Sequence, residues 1–254
     1  MKAKVIAVLN QKGGVGKTTT SVNLTHALAR SGKAVTVIDL DPQSHLAVSL
    51  GIVGPQPQGG IDEVMLNGGS LQSRCIPARK NLNLVVSGPR LQEIEQLSDG
   101  DSCRGDLLRK ALEHSDPDQD FIFIDCPPSS GVLVANALFA ADEILIPMTS
   151  DYLVLQGLSH LMGTIKKFEA ALQRQYRFSL VMSRYIPTRR LSADVLDLVK
   201  NYFPGKILAT PIRETALLAE CPSFGKTIFE YRPGCRSARD FAELAKDFLE
   251  NRVM

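Results

Sequence analysis

No apolar run in this chain approaches the ~18 residues that a membrane-spanning helix needs, and no signal-peptide pattern precedes its first apolar stretch. Cysteine is scarce and odd in number. Cys75, Cys103, Cys126, Cys221 and Cys235 show no C-x-x-C spacing. That excludes the signature of a disulfide framework or a zinc site and fits reduced thiols in the cytoplasm. The four histidines, His26, His45, His114 and His160, form no cluster and read as structural or exposed rather than catalytic. A strong charge of either sign is also lacking, with a formal net charge of +2. The charge is unevenly spread, however. From Arg174 onward 14 Lys and Arg face 9 Asp and Glu, whereas the first 173 residues hold 15 against 18. A modestly basic final third is compatible with a nucleic-acid face, and an ordinary solvated surface explains it nearly as well.

With 254 residues, 44% of them hydrophobic, the chain is long enough to bury one large core, and a single domain over 1–254 is expected. The stretch that organises it is Asn10-Gln11-Lys12-Gly13-Gly14-Val15-Gly16-Lys17-Thr18-Thr19-Thr20. Before it, Lys4 to Leu9 is apolar and β-branched, as in a buried parallel strand. After it, Val22, Leu24, Ala27, Leu28 and Ala29 recur at helical spacing until Ser31-Gly32. The glycines therefore sit between a strand and a helix N-terminus, where unpaired backbone N–H groups and the helix dipole favour an anion. Gly13, Gly14 and Gly16 let the backbone curl around a phosphate, with Val15 and Thr19 in the same cradle. Lys17 is placed to reach the β- and γ-phosphates and the Thr18 hydroxyl to ligate Mg²⁺. A nucleotide site follows, with Mg²⁺ beside its phosphates.

Further carboxylates fall at strand ends. Ala34 to Ile38 reads as a strand delivering Asp39 and Asp41 in the sequence DLDPQ. Asp39 is a candidate for holding a Mg²⁺-bound water, and Asp41 for orienting the attacking water. Phe121-Ile122-Phe123-Ile124-Asp125 reads as a Walker B strand, with Asp125 supporting the metal shell. Further strands are expected at 81–86, 143–148, 178–185 and 206–212. Helices are expected at 61–66, 103–114, 152–172, 191–203 and 237–253, the last with Asp240, Glu243, Asp247 and Glu250 on its polar side. The stretch 51–60 reads as an exposed loop. The fold class is α/β, a mostly parallel twisted sheet flanked by helices, in the P-loop NTPase manner.

An ordinary phosphate loop would need glycine at position 11, which is Gln11, and Lys12 opens the loop instead. The pattern K-G-G-x-G-K-T resembles the deviant Walker A motif of the ParA/MinD family of ATPases. DLDPQ and Asp125-Cys126-Pro127-Pro128 are similar to that family's two switches. PMTSDYLVLQGL and LLAECPSFGKTIFEYRPGCRSARDFAELAKDFL look ParA-like rather than MinD-like, so the resemblance spans nearly the whole chain. It implies an ATPase that forms a homodimer on ATP, in which Lys12 reaches the partner's phosphates. It also implies non-specific DNA binding, a nucleoid-associated cytoplasmic location, and a ParB-like or other cargo adaptor that stimulates hydrolysis. The chain begins at its first strand and resembles the short Soj-type class, which lacks an N-terminal helix-turn-helix. In that class two arginines serve DNA. The matching loop here holds Arg189 and Arg190, displaced by a residue or two. The second position is Leu217, with Arg213 the nearest arginine upstream. Carboxysome and chemoreceptor-cluster positioning are cargoes of the same scaffold. No membrane anchor of the MinD type is expected from the acidic terminal helix. Cys126 sits where the related nitrogenase iron protein has a cluster ligand, but Cys103 falls in an expected helix rather than a glycine-rich loop, so no cluster is expected. Two alternatives stay open: a metabolic P-loop enzyme of the dethiobiotin synthetase type, and a MinD-like membrane-associated ATPase.

Overall fold

A computed structural model describes residues 3–54, 59–96, 105–113 and 118–254. Its strands are β1 (Lys4–Val8), β2 (Val35–Asp39), β3 (Ile76–Arg79), β4 (Leu82–Val85), β5 (Phe121–Asp125), β6 (Glu143–Thr149) and β7 (Arg177–Ser183). They form one sheet in the order β3-β4-β2-β5-β1-β6-β7, parallel everywhere except between β3 and β4. Helical crossovers between successive strands impose the parallel arrangement and cover both faces.

Strand periodicity divides each strand between two cores. Val5 and Ala7 of β1 and Ile122 and Ile124 of β5 enter one layer, whereas Ile6, Val8 and Phe123 enter the other. Both layers are buried, which is why these strands are apolar at nearly every position. The first layer is closed by α3 (Ile61–Asn67), α4 (Leu91–Gln96), α5 (Leu107–Leu112), α6 (Val132–Ala140), α7 (Val154–Leu172) and α8 (Arg190–Tyr202). The second is closed by α1 (Lys17–Arg30), α2 (His45–Ser49), α9 (Ala216–Glu220), α10 (Ile228–Tyr231) and α11 (Arg236–Glu250). His26 of α1 is buried, with Nδ1 2.7 Å from the Thr227 hydroxyl, and burial pushes its pKa down to about 4. It is a packing residue, and His45 and His160 are exposed.

Three features depart from the expected layout. Residues 206–212 do not form a continuous strand. Leu208 and Ile212 donate to Leu180 and Met182 of β7, but the N–H groups between them turn elsewhere. Ala209 donates to Arg252 O, Thr210 donates to the Asp247 carboxylate, and Pro211 has no N–H to give. Second, β3 is additional to the expected strands; its Pro77 lies at the sheet edge, where proline is tolerated. Third, Asp240 and Asp247 do not lie on a solvated face of α11. They are 3% and 1% exposed and accept from Arg213 and Arg252. Of the helix expected at 103–114, Leu107–Leu112 is helical, and Cys103 and His114 lie outside the described residues. Part of the loop expected at 51–60 also lies outside them.

Asp247 has two jobs, accepting from the Thr210 N–H at 2.7 Å and from Arg252 at 2.7 Å. Asp247→Ala leaves the Thr210 N–H without its acceptor and removes the buried partner of Arg252, and should cost about 2 kcal/mol. Glu250→Ala, at a carboxylate whose side chain is 61% exposed, should change stability by no more than about 0.5 kcal/mol. Urea unfolding of both variants measures the contrast.

Candidate nucleotide site

The strand register brings the acidic residues to the glycine loop. Asp39 lies opposite Asp125, and Asp125 lies opposite Val8, so the ends of β2, β5 and β1 form one row beneath the loop that leads into α1. In that loop Gly14 and Gly16 adopt φ of +73° and +86°, values that a side chain disfavours. The Asn10 side chain braces the turn, donating to Pro147 O at 2.8 Å and accepting from the Lys12 N–H at 3.0 Å. No side chain caps α1, so its first N–H groups stay open to an anion.

Lys17 is 7% exposed and donates to Lys12 O at 3.3 Å, so its ammonium lies inside the loop's own curl. Burial lowers its pKa, and the charge of Asp125 opposes that effect. Thr18 and Ser21 each donate to Asp125 at 2.7 Å, one to each carboxylate oxygen. Burial nevertheless pushes Asp125 up to about 6. Asp39, also buried, is raised well above the usual carboxylate range by burial and then by the charge of Asp125. Its oxygens accept from the N–H groups of Asp41 and Leu46, so it clamps the loop that carries Asp41. Asp41 itself is half-buried and caps the Gln43 N–H at 2.9 Å. Two buried carboxylates beside one ammonium leave an excess of negative charge among hard oxygen donors. That donor set fits magnesium, with Thr18 and Asp125 closest to the phosphate loop.

Lys12 behaves differently from Lys17. Its side chain is 52% exposed, and its ammonium pairs with Asp151 of the same chain at 2.5 Å. Asp151, just past β6, also accepts from Thr149 at 2.7 Å, and the hydrogen bond from Lys12 is the main influence lowering its pKa. The sequence offered no signal for this contact, which joins residues 139 positions apart. Lys12, Asp151, Arg184, Arg189 and Glu214 border a polar cavity of about 370 Å³. Arg184 binds Glu214 through Nε and Nη2 at 2.9 and 2.7 Å, a second pair that sequence reasoning missed.

The three arginines expected at DNA do not share one environment. Arg189 borders the cavity of Lys12, and the Arg190 side chain is 95% exposed, 3.8 Å from Asp194. Arg213 instead grips the buried Asp240, with Nε donating at 3.0 Å. The structure thus gives Arg213 a packing partner, and Leu217 is half-buried against the second core. Cys126 is buried with its thiol pKa pushed up by burial, and no metal-binding cluster of His, Cys, Asp and Glu occurs among the described residues.

A lysine-led glycine loop between a parallel strand and a helix, faced by two buried aspartates, defines a P-loop nucleotide hydrolase of the deviant Walker A type. The family model described as AAA domain matches residues 3–178. The sporulation initiation inhibitor protein Soj of Bacillus subtilis (strain 168) is 36% identical over 256 residues, covering 98% of this chain and 99% of Soj. The chain belongs to the ParA/Soj family of partitioning ATPases. A cobyrinic acid a,c-diamide synthase from Mycobacterium smegmatis, solved with an ATP analogue and magnesium, has a TM-score of 0.83 at 29% identity, covering 98% of this chain and 95% of that one. A McdA variant from Cyanothece in complex with ATP has a TM-score of 0.85 at 20% identity, covering 100% and 98%, a likeness of fold. As a member of that family, the protein is an ATPase.

The burial of Asp125 has a measurable sign. Its folded pKa of about 6 exceeds the ordinary 3.8, so the folded chain binds more protons between those values. Its contribution to stability therefore falls as pH rises from about 4 to 6 and stays low above. Asp125→Asn should raise the melting temperature of the ligand-free protein at pH 7.5 by several degrees, at about 2–4 °C per kcal/mol for this size. It should also flatten the fall between pH 4 and 6 and abolish the extra stabilisation that magnesium adds to ATP. Thermal melts at pH 4, 6 and 7.5, with and without magnesium and ATP, provide the comparison.

Proposed function

We propose that this chain is an ATP-dependent dimerising switch that binds DNA without sequence preference and partitions or positions a cargo through an adaptor protein. The observation that carries this reading is the contrast between the two loop lysines. Lys17 is buried within its own loop, so it serves the phosphates of its own site. Lys12 is half-exposed and held by an exposed carboxylate, a contact worth no more than about 1 kcal/mol. Such a lysine can leave Asp151 for the phosphates of a second copy, and each protomer then completes its partner's site. Magnesium, held by Thr18 and Asp125 with Asp39 behind them, neutralises phosphate charge when bound. Asp41 orients the attacking water, and Asp39 fixes the loop that presents it.

Arg189 and Arg190 at the start of α8 are the DNA-facing residues in this reading. Dimerisation doubles them on one particle, which strengthens binding to a polyanion. A ParB-like or other adaptor would stimulate hydrolysis and release the dimer from the nucleoid in the cytoplasm. Among the described residues no helix is long and apolar enough to cross a membrane, and α11 buries Phe241 and Leu244 against the body, which argues against a MinD-like anchor. The metabolic alternative needs a small-molecule substrate; ATP turnover raised by DNA alone would exclude that requirement.

Two experiments test the switch. Lys17→Ala should abolish ATP binding. Lys12→Ala should retain binding within about tenfold yet stay monomeric with a non-hydrolysable ATP analogue in sedimentation; full dimerisation of that variant would refute the cross-site role. In salt titrations of duplex DNA binding, losing one arginine per protomer at Arg189 or Arg190 should reduce the dimer's log–log slope by about two. Arg213→Ala, at a residue held by Asp240, should lose stability rather than slope.

A further inference from the structure

The three strand ends that meet at the site carry three loops. In the sheet order β2-β5-β1, the segment that leaves β5 is flanked by the loop of Asp41, after β2, and by the glycine loop, after β1. Its leading end is fixed, because the Cys126 N–H donates to Val8 O at 3.2 Å. The next stretch is held loosely. Pro127 and Pro128 have no N–H to give, and Pro128 and Ser130 are exposed. The Ser129 hydroxyl is buried yet has no hydrogen-bond partner among the described residues.

The trailing end is fixed from outside. Gly131 offers α6 no side-chain cap, and the cap comes from Glu95 of α4, whose Oε2 accepts from the Leu133 N–H at 3.2 Å. Helix α4 is a firm base for that reach. Leu91 and Ile94 are fully buried in the layer that also takes Leu133 and Val134, and the Arg90 N–H donates to the buried Asp62 at 2.9 Å. The glycine is part of the same contact. Gly131 adopts φ of −81° and ψ of −164°, an extended backbone open to any residue. Yet a Cβ built there would lie 2.5 Å from Glu95 Oε1, and its three nearest atoms all belong to the Glu95 carboxyl group. Position 131 lacks a side chain because that carboxylate occupies its space.

We propose that Glu95 is a positioning residue for ATP hydrolysis: by clasping Gly131 and the Leu133 N–H, it fixes the trailing end of the segment between the glycine loop and Asp41. This role rests on the readings of Asp41 and the glycine loop given above. ATP binding depends on the glycine loop and Lys17, which the clasp does not touch. Hydrolysis also depends on aligning the attacking water with the γ-phosphate, and a slack segment beside both loosens that alignment. Losing the clasp therefore lowers turnover and leaves affinity alone.

Single-turnover hydrolysis and calorimetry of Mg-ATP binding on the full chain, with thermal melts, separate these effects. Glu95→Ala should slow hydrolysis about tenfold with ATP affinity within about twofold of the parent. Glu95→Gln, which keeps an acceptor for the Leu133 N–H, should hydrolyse within about threefold of the parent. Gly131→Ala should slow hydrolysis as Glu95→Ala does, because its methyl group evicts the carboxylate. The double variant should be no slower than Glu95→Ala alone, since both changes remove one contact. Parental turnover in Glu95→Ala, or multiplied losses in the double variant, would overturn the proposal. So would a fall in affinity and melting temperature that tracks the fall in rate, the mark of a cap that serves stability alone. Should Glu95→Ala fail to fold, Gly131→Ala decides. Asp41→Ala keeps the two readings apart: parental turnover there would bring down the site on which the clasp acts, whereas parental turnover in Glu95→Ala alone would bring down only the clasp.

Discussion

Thr18 and Ser21 each donate a 2.7 Å hydrogen bond to Asp125, and these two contacts fix the first turn of α1 against the end of β5. The site depends on them. They set the direction in which the uncapped N–H groups of α1 face, and hence where a phosphate can sit. They also hold a carboxylate in a place where water cannot solvate it, and its pKa rises to about 6 despite both donors. A site intended only for stability would replace that carboxylate with an apolar or amide group. Retaining two buried aspartates beside a single ammonium leaves a charge imbalance that a divalent cation relieves.

The two lysines of the loop divide the electrostatic work by exposure. Lys17 is buried, so its interaction with a bound phosphate would be strong and its removal would leave nothing in its place. Lys12 is solvated and holds a solvated partner, so exchanging Asp151 for another anion costs little. A switch needs one contact of each kind. In the switch proposed above, binding would be firm within a protomer and the contact between protomers reversible once the phosphate leaves.

Much of this was legible in the sequence because the decisive features are local. The K-G-G-x-G-K-T loop, the apolar runs that end in Asp39 and Asp125, and the helical spacing of α1 each lie within a few residues, and register then brings them together. What the sequence concealed depends on long-range pairing. Asp240 and Asp247 read as polar-face residues because a 3.6-residue period cannot show that the Arg213 side chain and the Thr210 N–H, 27 and 37 positions earlier, reach them. Residues 206–212 read as a strand because apolar runs do not reveal which N–H groups are drawn away by Asp247 and Arg252. Asp151 and Glu214 carried no motif, and only the fold sets them beside Lys12 and Arg184.

These concealed pairs share a location. Asp240 holds Arg213, the next residue Glu214 holds Arg184, and Arg184 borders the same polar cavity as Lys12. A row of charges thus runs from the terminal helix to the lysine that opens the loop. The inner pair has a buried acceptor, Asp240, whereas both partners of each outer pair are exposed. Burial therefore falls as the row approaches the face where a second copy would dock. In the switch proposed above, that gradient would let the outer pairs exchange partners while Asp240 keeps α11 in place, so the moving contacts would be confined to the surface and the core beneath them would not have to repack.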